Sequence, residues 1–517
     1  MRAIKWELPV VAGCLLFAAC DDFFDVDPEN GASPDDFYTN NSELNSVAEG
    51  MYATLAPDVH KFFLWGSARA DLVTEGETKD AYVSEFLNNT VSAVNPYTDY
   101  GFLYKAIARC NHQLKNLPRM KFDGNRVTES NMRPFYGEAY FLRAWCYFQL
   151  VRTFGEVPLV LEEVADEVTY VNEAGEEVKM STITMSDEEL RAVALQPAGK
   201  REIWKAIMDD LAKARELLTT NYENSRAPLY NFGFGNAGSD EWELIRANRL
   251  AAYVLSAEVA LWNGLYDQAA ALGEYVVLRN QLGTSSSWRL QYNNTDWASA
   301  VPYNAFGFMY VFEQGFRTNR MQEFTSPVES DGGRYLVKPE MRICDGLFNE
   351  PLDVRSKVSF KRVERKWVIW KYIGLDEDGK AMREPYKSIA NWYALKNADA
   401  YLVKGIAENE RGNVGGALEM LNDVRVARGL TKFTRDGISL DKENLRELLF
   451  VEKAREDAFE GKRWYDLLLR ETVLKEKGII ARTVSAKYED ENRRNEVYSR
   501  LLDEDSWYLP IEPERWK

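Results

Sequence analysis
The residues best suited to chemistry lie in SSSWRLQYNNTDWASAVPYNAFGFMYVF, where Trp288, Tyr292, Trp297 and Tyr303 stand among Asn293, Asn294, Asp296 and Asn304. Flat aromatic rings bury apolar surface against the C–H faces of a sugar. Amide and carboxylate forks read the positions of its hydroxyls. The mixture points to noncovalent carbohydrate recognition, with Trp288, Tyr292, Asn293, Trp297 and Tyr303 as expected ligand contacts. Aromatic residues make up 13% of the chain, more than a core of this size requires. Just downstream, Phe306, Phe308, Tyr310 and Phe312 alternate with Met309 and Val311, as a buried strand would.

Other chemistries are poorly supplied. Only His60 and His112 occur, so a histidine-rich metal site or a Ser-His-Asp triad has almost nothing to draw on. Each reads as a helix-face or helix-flank residue. Cys110, Cys146 and Cys344 form no CxxC pair and are too few for a disulfide framework, so they read as buried apolar fillers. FGFGNAGSD contains G-x-G-x-x-G at Gly233, Gly235 and Gly238, but a dinucleotide site needs a strand directly before it inside a βαβ unit. APLYNF after a helix is not that strand, and the stretch reads as a loop. LDEDGK, Leu375–Lys380, lacks the further ligands of a calcium loop and reads as a turn. The 81 acidic residues offer many carboxylate pairs for glycoside hydrolysis, and nothing singles one out. A net charge of −17 without a basic stripe argues against nucleic acid as a partner. No catalytic residue, cofactor or metal is expected.

The elements that must position such loops are mostly helices. Leu44, Val47, Ala48, Met51, Tyr52 and Leu55 keep helical spacing, as do Tyr100, Leu103, Tyr104, Ile107, Leu114 and Leu117. Pro134 sits where a first-turn proline is tolerated, opening a helix that ends near Gly155. Two Ala-rich segments resemble tetratricopeptide-type helical hairpins, with turns at Asn263-Gly264 and at Gly412-Asn413. Each such hairpin needs a neighbour to cover its apolar face.

The N-terminus is a separate matter. Arg2, Lys5 and the apolar run Leu8–Ala19 have the layout of a signal peptide over residues 1–19. That run is about a dozen residues, too short to span a bilayer. Cleavage before Cys20 resembles a bacterial lipoprotein box, in which the cysteine is acylated; two or three acyl chains anchor stably where one does not. Residues 20–40, with Asp21, Asp22, Asp25 and Asp27 near the cysteine, read as a tether. An N-terminal region over 41–245 and a C-terminal region over 246–517, packed into one globule, complete the expected organisation.

GEAYFLRAWCYFQLVRTFGEVPLV (137–160), DAYLVKGIAENERGN with NDVRVARGL (399–430), LLFVEKAREDAFEGKRWYDLLLR (448–470) and WYLPIEPERW near the end follow one another along the chain. With DFFDVDP after Cys20, this series resembles the SusD/RagB family of surface glycan-binding lipoproteins. The family usually has Arg in place of Lys396 or Asn397. The resemblance implies a mostly α, tetratricopeptide-like scaffold with long loop and short β insertions. It also implies a lipid-anchored, surface-exposed outer-membrane protein that binds an oligosaccharide or polysaccharide without hydrolysing it. The cargo would pass to a SusC-like TonB-dependent transporter. In that family, loops between the first scaffold helices help form the sugar site, which makes Trp65, Arg69, Asp71, Tyr82, Asn88 and Tyr97 further expected contacts. Within EGKRWYDL, Glu460, Arg463 and Asp466 fall three apart and are expected to pair along one helix face. Gly461 in a helix costs about 1 kcal/mol against Ala, so close packing of a neighbour is expected there. A scaffold for peptides or proteins, and a surface glycan hydrolase, are the alternatives.

Overall fold
The computed structural model describes residues 41–120, 129–162, 167–171, 177–181, 197–219, 246–282, 306–309, 320–327, 333–363, 365–371, 391–434 and 441–511. Apolar residues at helical spacing build its first element: Leu44, Ala48, Met51, Tyr52 and Leu55 form the buried face of α1 (Asn41–Leu55). α2 (Val59–Phe63) runs directly into a π-helical turn at Leu64–Ala68, then β1 (Val73–Glu75) and α3 (Ala81–Asn88) follow. α4 (Gly101–Asn116) packs on both α1 and α5 (Glu129–Phe154). α5 begins five residues before Pro134, so the proline lies inside the helix rather than in its first turn. β2 (Val157–Pro158) pairs antiparallel with β5 (Pro197–Ala198), and β3 (Glu167–Val171) pairs with β4 (Glu177–Ser181). α6 (Lys200–Leu217) packs along α5.

The first hairpin forms where the spacing predicts, as α7 (Arg249–Trp262) and α8 (Tyr266–Leu282). Its turn uses Gly264 at φ +68°, a left-handed conformation that glycine adopts without penalty. The second is α12 (Asn397–Glu410) and α13 (Val414–Ala427), turning at Gly412 with Asn413 capping α13 through the Gly416 amide. Although 114 residues separate Leu282 from Asn397, α8 and α12 lie side by side. A Cβ at Gly273 would stand 2.9 Å from the Lys404 Cβ, so the two helices meet almost backbone to backbone. Each hairpin thus covers the other's apolar face.

Between the hairpins come β6 (Phe306–Met309), α9 (Arg320–Thr325), β7 (Val337–Pro339), α10 (Met341–Leu347), α11 (Val354–Ser359), the ribbon of β8 (Phe360–Val363) and β9 (Lys366–Ile369), and β10 (Asn391–Leu395). β6 covers the first part of the strand expected from the alternating aromatics and pairs antiparallel with β10, while Tyr310, Val311 and Phe312 lie outside the described residues. β9 ends two residues before this stretch of described chain stops at Lys371, and LDEDGK and the Gly233–Gly238 loop lie outside the described residues. Cys110, Cys146 and Cys344 are free and buried, as expected.

The C-terminal signature EGKRWYDL (460–467) folds differently from its spacing. α14 (Lys442–Glu456) stops before it, Phe459 and Gly461 adopt left-handed φ of 66° and 70°, and α15 (Arg463–Thr472) starts afresh. Glu460 therefore lies outside α15, and only Arg463 and Asp466 share that helix. Glu460 pairs with Lys371 at 2.6 Å and Lys396 at 2.8 Å, Arg463 reaches Asp71, and Asp466 lies 3.5 Å from Lys453. Lys396, standing where the family usually has Arg, also lies 3.1 Å from Asp457. The close approach expected at Gly461 is present: a Cβ there would lie 2.6 Å from the Phe62 carbonyl oxygen, and one at Gly66 would lie 1.8 Å from that of Gly461. α16 (Ile479–Ser485), α17 (Glu491–Leu501) and a 3-10 turn at Glu504–Trp507 close the described chain.

Candidate functional site
The segment from α2 to α3 divides its polar and aromatic residues between interior and surface. Trp65 is fully buried, edge-on to Phe62 and Phe154 at centroid distances of 5.6 and 5.3 Å. Its indole Nε1 donates to the Tyr97 carbonyl at 2.8 Å. Arg69 is buried over the Trp464 ring at 3.8 Å and donates to Asn89 Oδ1, the Trp507 carbonyl and the Ser506 carbonyl at 2.8–3.1 Å. Burial draws its guanidinium down to about 9, which leaves it a cation at neutral pH. Asp71 accepts both prongs of Arg463 at 2.9 and 3.0 Å. These three expected ligand contacts are therefore spent inside the protein. A buried polar group must find partners there, and each has found them in the C-terminal third of the chain or across its own segment.

The remaining residues of that patch sit nearer solvent. Asp80 caps α3 by accepting from the Tyr82 and Val83 amides, and this fixes Tyr82 in the first turn with its ring 44% exposed. Tyr97 is half-buried, packed edge-on to His60 and Phe324 at 5.7 and 5.9 Å. Asn88 is half-buried at one margin of a cleft of about 510 Å³ that also takes in Thr90, Asn492, Arg493 and Arg500. Its Oδ1 accepts from Arg493 and its carbonyl from Arg500 at 3.0 Å.

Strand pairing brings this patch beside β7 and β9. β1 pairs antiparallel with β7, setting Val73 opposite Pro339 and Glu75 opposite Val337. Lys487 secures β1 from below, donating to the Ala70 carbonyl at 2.7 Å and lying 3.4 Å from those of Ala68 and Val73. Asp80 accepts from Arg334 at 3.0 Å, and Glu77 pairs with Lys366 at 2.7 Å. Tyr335 donates its hydroxyl to the Trp367 carbonyl at 2.6 Å, and burial pushes its phenol up to about 12, so it stays a donor. The result is a ridge stitched across β1, β7 and β9, with Tyr82 two residues from one tie and Trp367 one residue from another. Trp367 is 36% exposed near the start of β9, edge-on to Phe360 at 6.0 Å, while the following Val368 and Ile369 are buried. Exposed rings beside fixed charged pairs suit noncovalent recognition of a polyhydroxyl chain.

Trp367 was absent from the sequence expectations. The signal for it lay in ERKWVIW, where an outward tryptophan follows a lysine in a short hairpin. Trp288, Tyr292, Asn293, Trp297 and Tyr303 lie outside the described residues.

Two family models match this chain: a SusD-like model described as starch-binding and associating with the outer membrane over residues 22–233, and the SusD family over residues 316–515. The chain belongs to the SusD/RagB family. SusD-like protein P38 of Formosa agariphila is 23% identical over 491 residues, covering 87% of this chain and 88% of its own. A SusD superfamily protein of known structure from Bacteroides vulgatus superposes with a TM-score of 0.68 at 18% identity, covering 93% of this chain and 97% of its own. A laminarin-binding SusD-like protein gives a TM-score of 0.64 at 19% identity, with 93% and 97% covered. These likenesses show that the mostly helical fold is the one SusD-superfamily structures share. Among the described residues no helix is long and apolar enough to cross a membrane.

Proposed function
We propose that this SusD-family chain is a cell-surface lipoprotein, acylated at Cys20, that binds an oligosaccharide and delivers it to a SusC-like TonB-dependent transporter in the outer membrane. The observation that carries the reading is the match of residues 22–233 to a family described as starch-binding and associated with the outer membrane. Its fold-mate named as laminarin-binding supports glycan cargo. On this reading the sugar lies along the ridge, stacking on Tyr82 and Trp367, with Asn88 and Tyr97 at its margins. Trp288, Tyr292, Asn293, Trp297 and Tyr303 complete the site from the segment before β6. Capture is followed by transfer and not by bond cleavage.

The test is calorimetry of the soluble chain Asp21–Lys517 against starch, laminarin, other plant, host and microbial glycans, and peptides. Burying one aromatic side chain is worth about 1.5–3 kcal/mol, so Trp367→Ala should weaken glycan binding roughly 10- to 100-fold. Tyr82→Ala and Trp288→Ala should weaken it as well, with no product released. Saturable binding to peptides alone would replace this reading with the peptide scaffold. Turnover abolished by a single Asp or Glu change would replace it with a hydrolase.

A further inference from the structure
An apolar groove of about 680 Å³ runs between α1 and α4, away from the ridge residues just described. Val47, Tyr104, Ile107, Ala108 and Val160 supply its apolar lining. Tyr104 is held in place by donating its hydroxyl to the Pro158 carbonyl at 2.7 Å. Arg109 crosses the groove edge to donate to the Gly50 carbonyl. The exposed side of α4 carries Lys105 and Arg109 one turn apart, Arg109 on the groove itself, in a chain whose net charge is −17; Glu162 also lines the groove.

We propose that this groove is the docking site of the chain's own N-terminal segment Asp21–Pro28. That segment reads DDFFDVDP: three apolar side chains, Phe23, Phe24 and Val26, spaced among four aspartates. The groove offers an apolar floor for the first set and a cationic flank for the second. Reach is not limiting. Phe24 lies 17 residues before Asn41, and that number of residues can span at most about 55–60 Å. The groove residues Ser46, Val47 and Gly50 lie only about 8–14 Å along α1 from Asn41, at 1.5 Å per residue. Covalent attachment makes the docking intramolecular, with an effective concentration in the millimolar range, so modest contacts suffice. A charged, aromatic segment thereby acquires a structural role beyond that of a spacer. If Cys20 is acylated as proposed above, docking a few residues later holds the α1–α4 face toward the membrane and limits how the molecule can tilt.

The test uses the soluble chain Asp21–Lys517, which carries no lipid, so its outcome is independent of the lipoprotein reading. Its natural cysteines are buried. Phe24→Cys is combined either with Ala108→Cys in the groove or with Ala53→Cys, an exposed position on α1 at similar reach but outside the groove. Under mild oxidation the 24–108 disulfide should form at least tenfold faster than the 24–53 disulfide. Adding Arg109→Glu, a surface change, should slow the 24–108 reaction at least threefold at low salt. Equal rates at the two positions would overturn the proposal. So would concentration-dependent covalent dimers in place of the internal bond, which would seat a second copy in the groove.

Discussion

Replacing Gly66 by alanine tests whether the junction of α2 with the C-terminal signature is as close as it looks. Gly66 has no left-handed requirement, so the substitution costs nothing in backbone conformation and should act through sterics alone. The added Cβ would stand 1.8 Å from the Gly461 carbonyl oxygen and 2.4 Å from its carbonyl carbon. Relief needs the two backbones to part by about 1 Å, against interiors packed as densely as organic crystals. Neither side has a flexible side chain to yield. Gly461 is itself held at φ +70°, with its amide donating to Ser67 Oγ at 2.8 Å. Overpacking a well-filled site costs about 1–3 kcal/mol, with rigid backbone at the upper end. At about 2.1 cal/mol/K of unfolding entropy per residue, a chain of roughly 500 residues loses only about 1 °C in Tm per kcal/mol. A fall of about 3 °C is therefore expected, and urea titration beside thermal melting should resolve it. Gly346→Ala is the matched control. That glycine lies in helix α10 with open space around its Cβ position, so alanine should stabilise by about 0.5–1 kcal/mol. A Gly66→Ala protein as stable as the parent, or a Gly346→Ala protein as damaged as Gly66→Ala, would refute the steric argument.

Glu456 is fully buried, 2.7 Å from Arg428, 3.3 Å from Arg355 and 3.7 Å from Lys396. Glu456→Gln leaves those cations short of a counter-charge and should cost about 3–5 kcal/mol; a loss below 1 kcal/mol in denaturant titration would show that the neighbouring acids compensate. The same cluster sets the acid response. Burial pushes Asp399 and Asp466, which share their lysines with Asp457, up to about 6, whereas Arg428, Lys396 and Arg355 outweigh burial and hold Glu456 well below the usual carboxylate range. Between pH 7 and 5 the native state takes up protons at Asp399 and Asp466 ahead of the unfolded chain, which stabilises it. Below about pH 4.5 the unfolded chain protonates at Glu456 and Asp457 first, and stability falls. Melting temperature across pH 3–8 should thus hold or rise toward pH 5 and drop below 4.5; a steady decline from pH 7 would contradict this assignment.

Local spacing was enough to reveal much of this protein. Hairpin turns at Asn263-Gly264 and Gly412-Asn413, buried cysteines and the strand at Phe306 all depend on neighbours a few residues away, and periodicity reports such neighbours directly. So does the ordered motif series that marks the family. The fate of Trp65, Arg69 and Asp71 was not legible in the same way. Their residue types suit a sugar site, but Arg69 finds carbonyls 437 and 438 residues away and Asp71 finds Arg463 across 392. Nothing within their own segment distinguishes a polar side chain that meets solvent from one that meets a distant backbone. Trp367 shows the converse, because its exposure depends on which face of the β8–β9 ribbon the rest of the protein covers. Glu460, Arg463 and Asp466 keep helical spacing in sequence, yet left-handed Phe459 and Gly461 leave Glu460 outside the helix, where it pairs with Lys371 and Lys396. Sequence alone therefore determined the scaffold and its repeating parts, whose information is local. The tertiary structure decided which polar and aromatic groups remain at the surface to meet a ligand, because burial is settled by chain that is distant in sequence.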